Sequence, residues 1–276
     1  MGTFRTKPNY ALERRKKGQA PLGMQMYTHD ADLIEICGIV GFDYVMIDME
    51  HNRCNPETMV TLIRTCDACD MAPYVRVEEN NPARIRSAVE AGAKGIVVPH
   101  IKNSADAREA VRASHYAPEG YCGICPSVRH NAFNTSKDYI GYHKWINENL
   151  STIVLFEDMS ALEDAEGILG ELKPGRDAIG FGLADLAFSL LKPGEQSGMA
   201  PPPILMEYMP KIKKMCKERG IDIQGMVMGP PNEENTKRTI EEGTTILLFM
   251  PEQELFANCC QEIYTAARPY TDINPK

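Results

Sequence analysis

A single (β/α)8 barrel is the fold that this sequence predicts, and three observations predict it. Eight short strand-like runs recur along the 276 residues. Helix-like patterns, opened by capping residues and closed by glycines, lie between them. Charged residues stand at the ends of several strands, where a parallel barrel gathers its functional groups on one rim.

The strand runs are 23–27 (GMQMY), 43–48 (DYVMID), 73–77 (PYVRV), 95–99 (GIVVP), 152–157 (TIVLFE), 178–182 (AIGFG), 222–228 (DIQGMVM) and 244–249 (TTILLF). Several are near-continuous apolar stretches, as expected for strands covered on both faces. Residues 1–20 read as an N-terminal extension with a first helix, whose solvated face carries Arg14-Arg15-Lys16-Lys17. Asn55-Pro56 supplies a cap and a first-turn proline, followed by the stripe Met59, Leu62 and Ile63. Asn81-Pro82 repeats the device with Ile85, Ala88 and Val89 inward. Asn103 or Ser104 opens the next helix, with Ala107, Ala110 and Val111 inward. Leu205, Tyr208, Ile212 and Met215 mark a longer helix, and Pro251 opens the last, with Leu255, Phe256, Cys259 and Ile263. Gly92, Gly220 and Gly243 follow helix ends. Two stretches, 116–137 and 192–203, read as irregular loops.

A doubly wound open sheet is the competing architecture. It calls for a glycine fingerprint after the first strand. Here Gly180-Phe181-Gly182 comes late and lacks the third glycine. No composition break divides the chain, so residues 1–276 read as one barrel domain. The net charge of −8 speaks against nucleic acid as a partner. No apolar run approaches the roughly 20 residues of a membrane helix. Nine cysteines without a secretion signal point to a reducing cytoplasm. Cys66 and Cys69 fall on a helix face, whereas Cys122 and Cys125 lie in a Gly/Pro-rich loop.

In a parallel barrel Asp48, Glu50, His51, Arg76, Pro99, Glu157 and Asp185 converge at the strand ends. Glu157 and Asp185 end adjacent strands. Two ionised carboxylates side by side call for a divalent cation between them, with each capping its following helix as the alternative. Hard oxygen ligands suit Mg²⁺ or Mn²⁺, and less selectively Co²⁺ or Zn²⁺. Asp48 is placed to orient the His51 imidazole as an acid/base group. Arg76 is placed to hold a carboxylate or oppose developing negative charge, or to pair with Glu50 or Glu78. No lysine ends a strand, so a Schiff-base route has no nucleophile in this reading. Metal, arginine and a His–Asp pair fit chemistry through the enolate of a 2-oxo acid.

These motifs resemble the HpcH/HpaI aldolase family of metal-dependent class II pyruvate aldolases, within the pyruvate kinase-like barrel superfamily. The resemblance rests on FDYVMIDMEH (42–51), PYVRV (73–77), AGAKGIVVPHI (91–101), AREAVRASHYAPEGYCG (107–123), TIVLFED (152–158) and GFGLADLAFSL (181–191). It implies Glu157 and Asp185 as metal ligands, His51 with Asp48 as the acid/base pair, and Arg76 on the oxo group and enolate. It also implies a substrate carboxylate at the loop Gly182-Leu183-Ala184, and Arg129 matches an arginine of the 116–137 loop. The implied reaction is cleavage of a 4-hydroxy-2-oxo acid, such as a 2-oxo-3-deoxy sugar acid or a dicarboxylate, to pyruvate and an aldehyde. The implied assembly is a homo-hexamer that exchanges its last helix. Leu183 stands where the family has proline, and Cys122 where it has arginine. Both departures bear on the substrate side. An oxaloacetate-type decarboxylase or an enolate-trapping synthase is the alternative on the same metal site. A non-catalytic barrel and an acyl-CoA lyase are the remaining readings.

Overall fold

The computed structural model describes residues 7–135, 138–191 and 203–271. Strands β1 (Leu22–Met26), β2 (Tyr44–Asp48), β3 (Ala72–Arg76), β4 (Gly95–Ile101), β5 (Ser151–Phe156), β6 (Ala178–Phe181), β7 (Asp222–Met226) and β8 (Ile246–Phe249) form a closed parallel barrel in chain order. The seam is the pairing of β1 with β8.

Helices α1 (Tyr10–Lys16), α2 (Ala31–Val40), α3 (Pro56–Ala68), α4 (Pro82–Ala91), α5 (Ser104–Ser114) and α6 (Tyr139–Asn149) belong to the first half. The second half carries α7 (Met159–Glu163), α8 (Ala165–Gly170), α9 (Leu183–Ser189), α10 (Pro203–Arg219), α11 (Glu233–Glu241) and α12 (Glu252–Ala267). The capping expectations hold. Asn55, Asn81 and Asn103 accept N–H groups of the first turns of α3, α4 and α5. Gly92 ends α4 in the left-handed conformation that an L side chain avoids. The 192–203 loop lies, except for its last residue, outside the described residues.

Side chains alternate between an inner core and a helix-facing core. Inside, Tyr44 and Tyr74 fill the barrel, their rings 4.9 Å apart. A Cβ on Gly23 would stand 2.0 Å from the Tyr44 ring, and one on Gly95 2.5 Å from that of Tyr74. Large residues on one strand therefore require glycine on an adjacent one.

α1 closes the base of the barrel. Ala11 joins the inner core, and Asn9 donates to the carbonyls of Lys94 and Asn149. The basic run is not simply solvated: the Arg15 side chain is buried and pairs with Asp222 of β7, and Arg14 pairs with Asp43 before β2. Helix amphipathicity alone did not show this, because the acidic partners lie at the N-terminal ends of distant strands.

Candidate active site

β2 ends at Asp48, which is fully buried. The chain turns there, and Asp48 Oδ1 accepts the backbone N–H groups of Glu50 (2.9 Å) and His51 (2.8 Å). Strand register sets Asp48 beside Arg76 of β3. Oδ2 accepts Arg76 Nε at 2.5 Å and Gln25 Nε2 at 3.4 Å, and Arg76 Nη2 completes the ion pair. Both carboxylate oxygens are thus engaged away from the imidazole. The expected contact of Asp48 with the His51 ring is corrected to one with the His51 backbone. The physical reason is the turn, whose N–H groups a short acidic side chain satisfies. The His51 side chain is 47% exposed, with Nε2 3.6 Å from Glu50 Oε2.

Arg76 is held on three sides. Beyond Asp48, its Nη1 lies 3.1 Å from Glu50 Oε2, and Nη2 donates to Tyr27 Oη at 3.3 Å. Glu50, read first as a pairing partner of Arg76, meets that expectation and also turns its other oxygen toward β4.

β4 runs two residues beyond its expected end. Val98 pairs with Val154 and Ile101 with Phe156, so Pro99 and His100 stand opposite Leu155 alone. Proline has no N–H to give the ladder, and a bulge absorbs the extra residue. His100 sits at φ 58° in that bulge, and the ring swings between two carboxylates. Its Nε2 is 2.9 Å from Glu50 Oε1, and its Nδ1 is 3.4 Å from Glu157 Oε2. Its backbone N–H donates to Glu157 Oε2 at 2.8 Å.

Glu50, His100 and Glu157 each offer a ligand atom within 4.8 Å of the others. Burial pushes the Glu157 carboxyl above its ordinary range, and the Asp185 charge adds to this, while the His100 N–H and ring pull back. Burial also raises Glu50. Arg76 opposes that shift, and the Glu157 charge reinforces it. Two crowded, desolvated carboxylates beside an imidazole fit a divalent cation, whose bonds of about 2.1 Å match this spacing. His100 was missed in the sequence. The available signal was Pro99 within an apolar strand, which marks a bulge as readily as a strand end.

The expected partner of Glu157, Asp185, lies in the first turn of α9 and outside this three-residue group. It lines the same cavity of about 390 Å³, as do His51, Arg76, Glu157, Gly182, Leu183 and Ala184. Pro99 is buried in β4 and is not among the lining residues.

Arg129 is a correction. Its guanidinium donates to Asp67 on α3 at 2.6 Å and to the Ala91 carbonyl at the end of α4 at 3.0 Å. It therefore neutralises a half-buried acid and caps a helix end on the flank of the barrel, away from the cavity. Cys122 and Cys125 join no metal-competent group among the described residues.

Gly182 carries a separate requirement. A Cβ there would stand 2.5 Å from both Cγ and Oε1 of Glu157. Gly182→Ala is expected to displace that carboxylate and weaken metal affinity at least about 10-fold, by roughly 1.4 kcal/mol or more. Titration with Mn²⁺ checks it, and unchanged affinity would refute the argument.

A family model described as HpcH/HpaI aldolase/citrate lyase matches residues 22–257. The chain belongs to this family. It is 29% identical over 253 residues to a 2-dehydro-3,6-dideoxy-6-sulfogluconate aldolase of Pseudomonas putida, covering 92% of this chain and 94% of the relative. It is 28% identical over 232 residues to a 5-keto-4-deoxy-D-glucarate aldolase of Klebsiella pneumoniae subsp. pneumoniae, covering 84% and 86%. The solved HpcH/HpaI aldolase from Desulfitobacterium hafniense DCB-2 superposes with a TM-score of 0.83 at 20% identity, covering 95% of this chain and 98% of the other. At that identity the structural likeness speaks to the fold. Family membership and the rim geometry thus agree on an enzyme of the aldolase/lyase class.

Proposed function

We propose that this protein is a divalent-metal-dependent aldolase that cleaves a 4-hydroxy-2-oxo acid to pyruvate and an aldehyde. The observation that carries the reading is the cluster of Glu50, His100 and Glu157 beside Arg76 and His51 at one barrel mouth. Glu157 would hold the cation, with Glu50, His100 and Asp185 as the candidates to complete its shell. When bound, the cation supplies electrophilic stabilisation of the pyruvate enolate. Arg76, fixed by Asp48 and Glu50, opposes negative charge developing on the 2-oxo oxygen. The loop Gly182-Leu183-Ala184 opens α9 and faces the substrate carboxylate. His51 Nε2 takes the proton of the 4-hydroxyl as the C3–C4 bond breaks. The bonding pair passes to the 2-oxo group as an enolate, and the same proton is returned to C3 to give pyruvate.

The test is pyruvate release from a panel of 4-hydroxy-2-oxo acids and oxaloacetate with Mg²⁺, Mn²⁺ or Co²⁺, before and after EDTA. Pyruvate with a matching aldehyde, lost on chelation, is the expected outcome. Release from oxaloacetate alone moves the assignment to a decarboxylase or enolate-trapping synthase.

The assembly belongs to the same reading. α12 is a 16-residue helix with no buried residue, and it exposes Phe256, Ile263 and Tyr264. A helix of that length is marginal in water without a packing partner. We infer that this apolar stripe packs on further copies of the chain, as the exchanged helix of a hexamer. The double substitution Phe256→Asp, Ile263→Asp is expected to lower the mass measured by light scattering to that of a monomer. An unchanged mass would remove this assignment. No helix among the described residues is long and apolar enough to cross a membrane. All nine cysteines are free thiols, which supports a reducing cytoplasmic setting.

A further inference from the structure

Across the barrel mouth from Glu157 stands a second polar group that the aldolase reading leaves unused. β1 and β5 lie four strands apart in an eight-strand ring, so the end of β1 faces the end of β5. Gln25 and Tyr27 are on β1 and just beyond it, and both line the cavity.

The hydrogen bonding of this pair is one-sided. Gln25 Nε2 lies 3.4 Å from Asp48 Oδ2 and 3.1 Å from Tyr27 Oη. A carboxylate only accepts, so Asp48 fixes which end of the Gln25 amide carries the N–H groups. Gln25 Oε1 must then point the other way. It is buried, on a residue 3% exposed, and has no partner. A buried acceptor left without a donor costs about 1–3 kcal/mol.

Tyr27 Oη already accepts from two donors, Gln25 Nε2 and Arg76 Nη2. Two incoming N–H groups occupy its acceptor positions, so its own proton points in a third direction. Burial raises the Tyr27 phenol above its ordinary value, which keeps that proton in place at neutral pH. Gln25, on β1, and Tyr27, just beyond it, thus carry a buried acceptor without a partner and a phenol proton that neither of the two N–H donors engages.

We propose that Gln25 and Tyr27 form a hydroxyl-reading subsite for the aldehyde half of the substrate. A hydroxyl both donates and accepts, so one hydroxyl, or two on adjacent carbons, satisfies Gln25 Oε1 and Tyr27 Oη–H together. The inference rests on the aldolase reading. A substrate whose 2-oxo acid end is seated at β5 and β6 extends across the mouth toward β1. The substrate class is a 4-hydroxy-2-oxo acid carrying a further hydroxyl beyond C4, hence a polyhydroxylated chain rather than a plain alkyl one.

The experiment runs the reaction in the direction of synthesis, from pyruvate with glyceraldehyde or propionaldehyde. A site built to bond a hydroxyl rejects the analogue that lacks it, because its own polar groups are left unpaired. The wild type is expected to prefer glyceraldehyde at least about 100-fold in kcat/KM. Tyr27→Phe and Gln25→Met are each expected to cut that ratio about 10-fold, whatever they do to the absolute rates that both aldehydes share. The aldolase reading has its own readout in the same tubes, the exchange of pyruvate C3 protons with D2O by the wild type. Absent exchange defeats that reading and this inference with it. Exchange with no wild-type preference, or a preference that survives both substitutions, defeats the subsite alone.

Discussion

Glu157→Gln is expected to lower kcat/KM at least about 10³-fold, some 4 kcal/mol of transition-state stabilisation, and to abolish tight binding of Mn²⁺. The same substitution is expected to leave the fold intact or make it more stable. Glu157 is buried, and desolvation lifts its carboxyl above the ordinary value of 4.5. A raised carboxyl carries no penalty below its unfolded pKa, where it is neutral in both states. The penalty grows as pH rises through the folded pKa, where the buried group is forced to ionise. The metal-free wild type should therefore lose stability relative to Glu157→Gln as pH climbs from 4.5 toward neutrality. Thermal melts of both proteins in EDTA across that range check the sign. Parallel melting curves would show that the carboxylate is not under strain. Added metal should close the gap, since the cation relieves the charge that burial penalises.

Replacing Arg76 is the opposite case, with the larger loss in stability. Asp48 is fully buried, Glu50 is nearly so at the side chain, and Arg76 is the cation shared by both. Arg76→Met leaves two buried carboxylates without their counter-charge, a change that costs about 3–5 kcal/mol. Chemical denaturation is expected to read that loss. Arg76→Lys keeps the charge but not the planar fork, which now spans Asp48, Glu50 and Tyr27, so it should recover only part of the stability. A fully stable Arg76→Met protein would contradict the ion-pair geometry.

The barrel was legible because parallel strands buried on both faces appear as short apolar runs. The observed strands begin and end within two residues of the runs read from the sequence, and asparagine-proline pairs mark the starts of α3 and α4. The ends of parallel strands share one rim, which is why Arg76, Glu157 and, from the first turn of α9, Asp185 line one cavity, with Asp48 paired to Arg76 beneath it. Strand-end position failed as a guide where the outcome depended on three-dimensional partners. His100 joins the cluster only because Pro99 forces a bulge. Asp48 spends its oxygens on a turn and an arginine, which sequence spacing to His51 cannot reveal. Arg129 is drawn to Asp67, 62 residues away, and to a helix end, neither of which is encoded in its own loop.

One carboxylate joins the two ends of the fold. Glu252, in the first turn of α12, accepts the backbone N–H of Tyr27 at 2.9 Å and also that of Thr28. The helix that lies unburied on its own barrel is therefore tethered just past the end of β1, at Tyr27 and two residues beyond Gln25. A pull on that helix is felt at the rim within the length of a hydrogen bond. On the proposed assembly and subsite, dilution below the point of assembly is expected to alter which aldehyde is preferred, making selectivity a function of protein concentration.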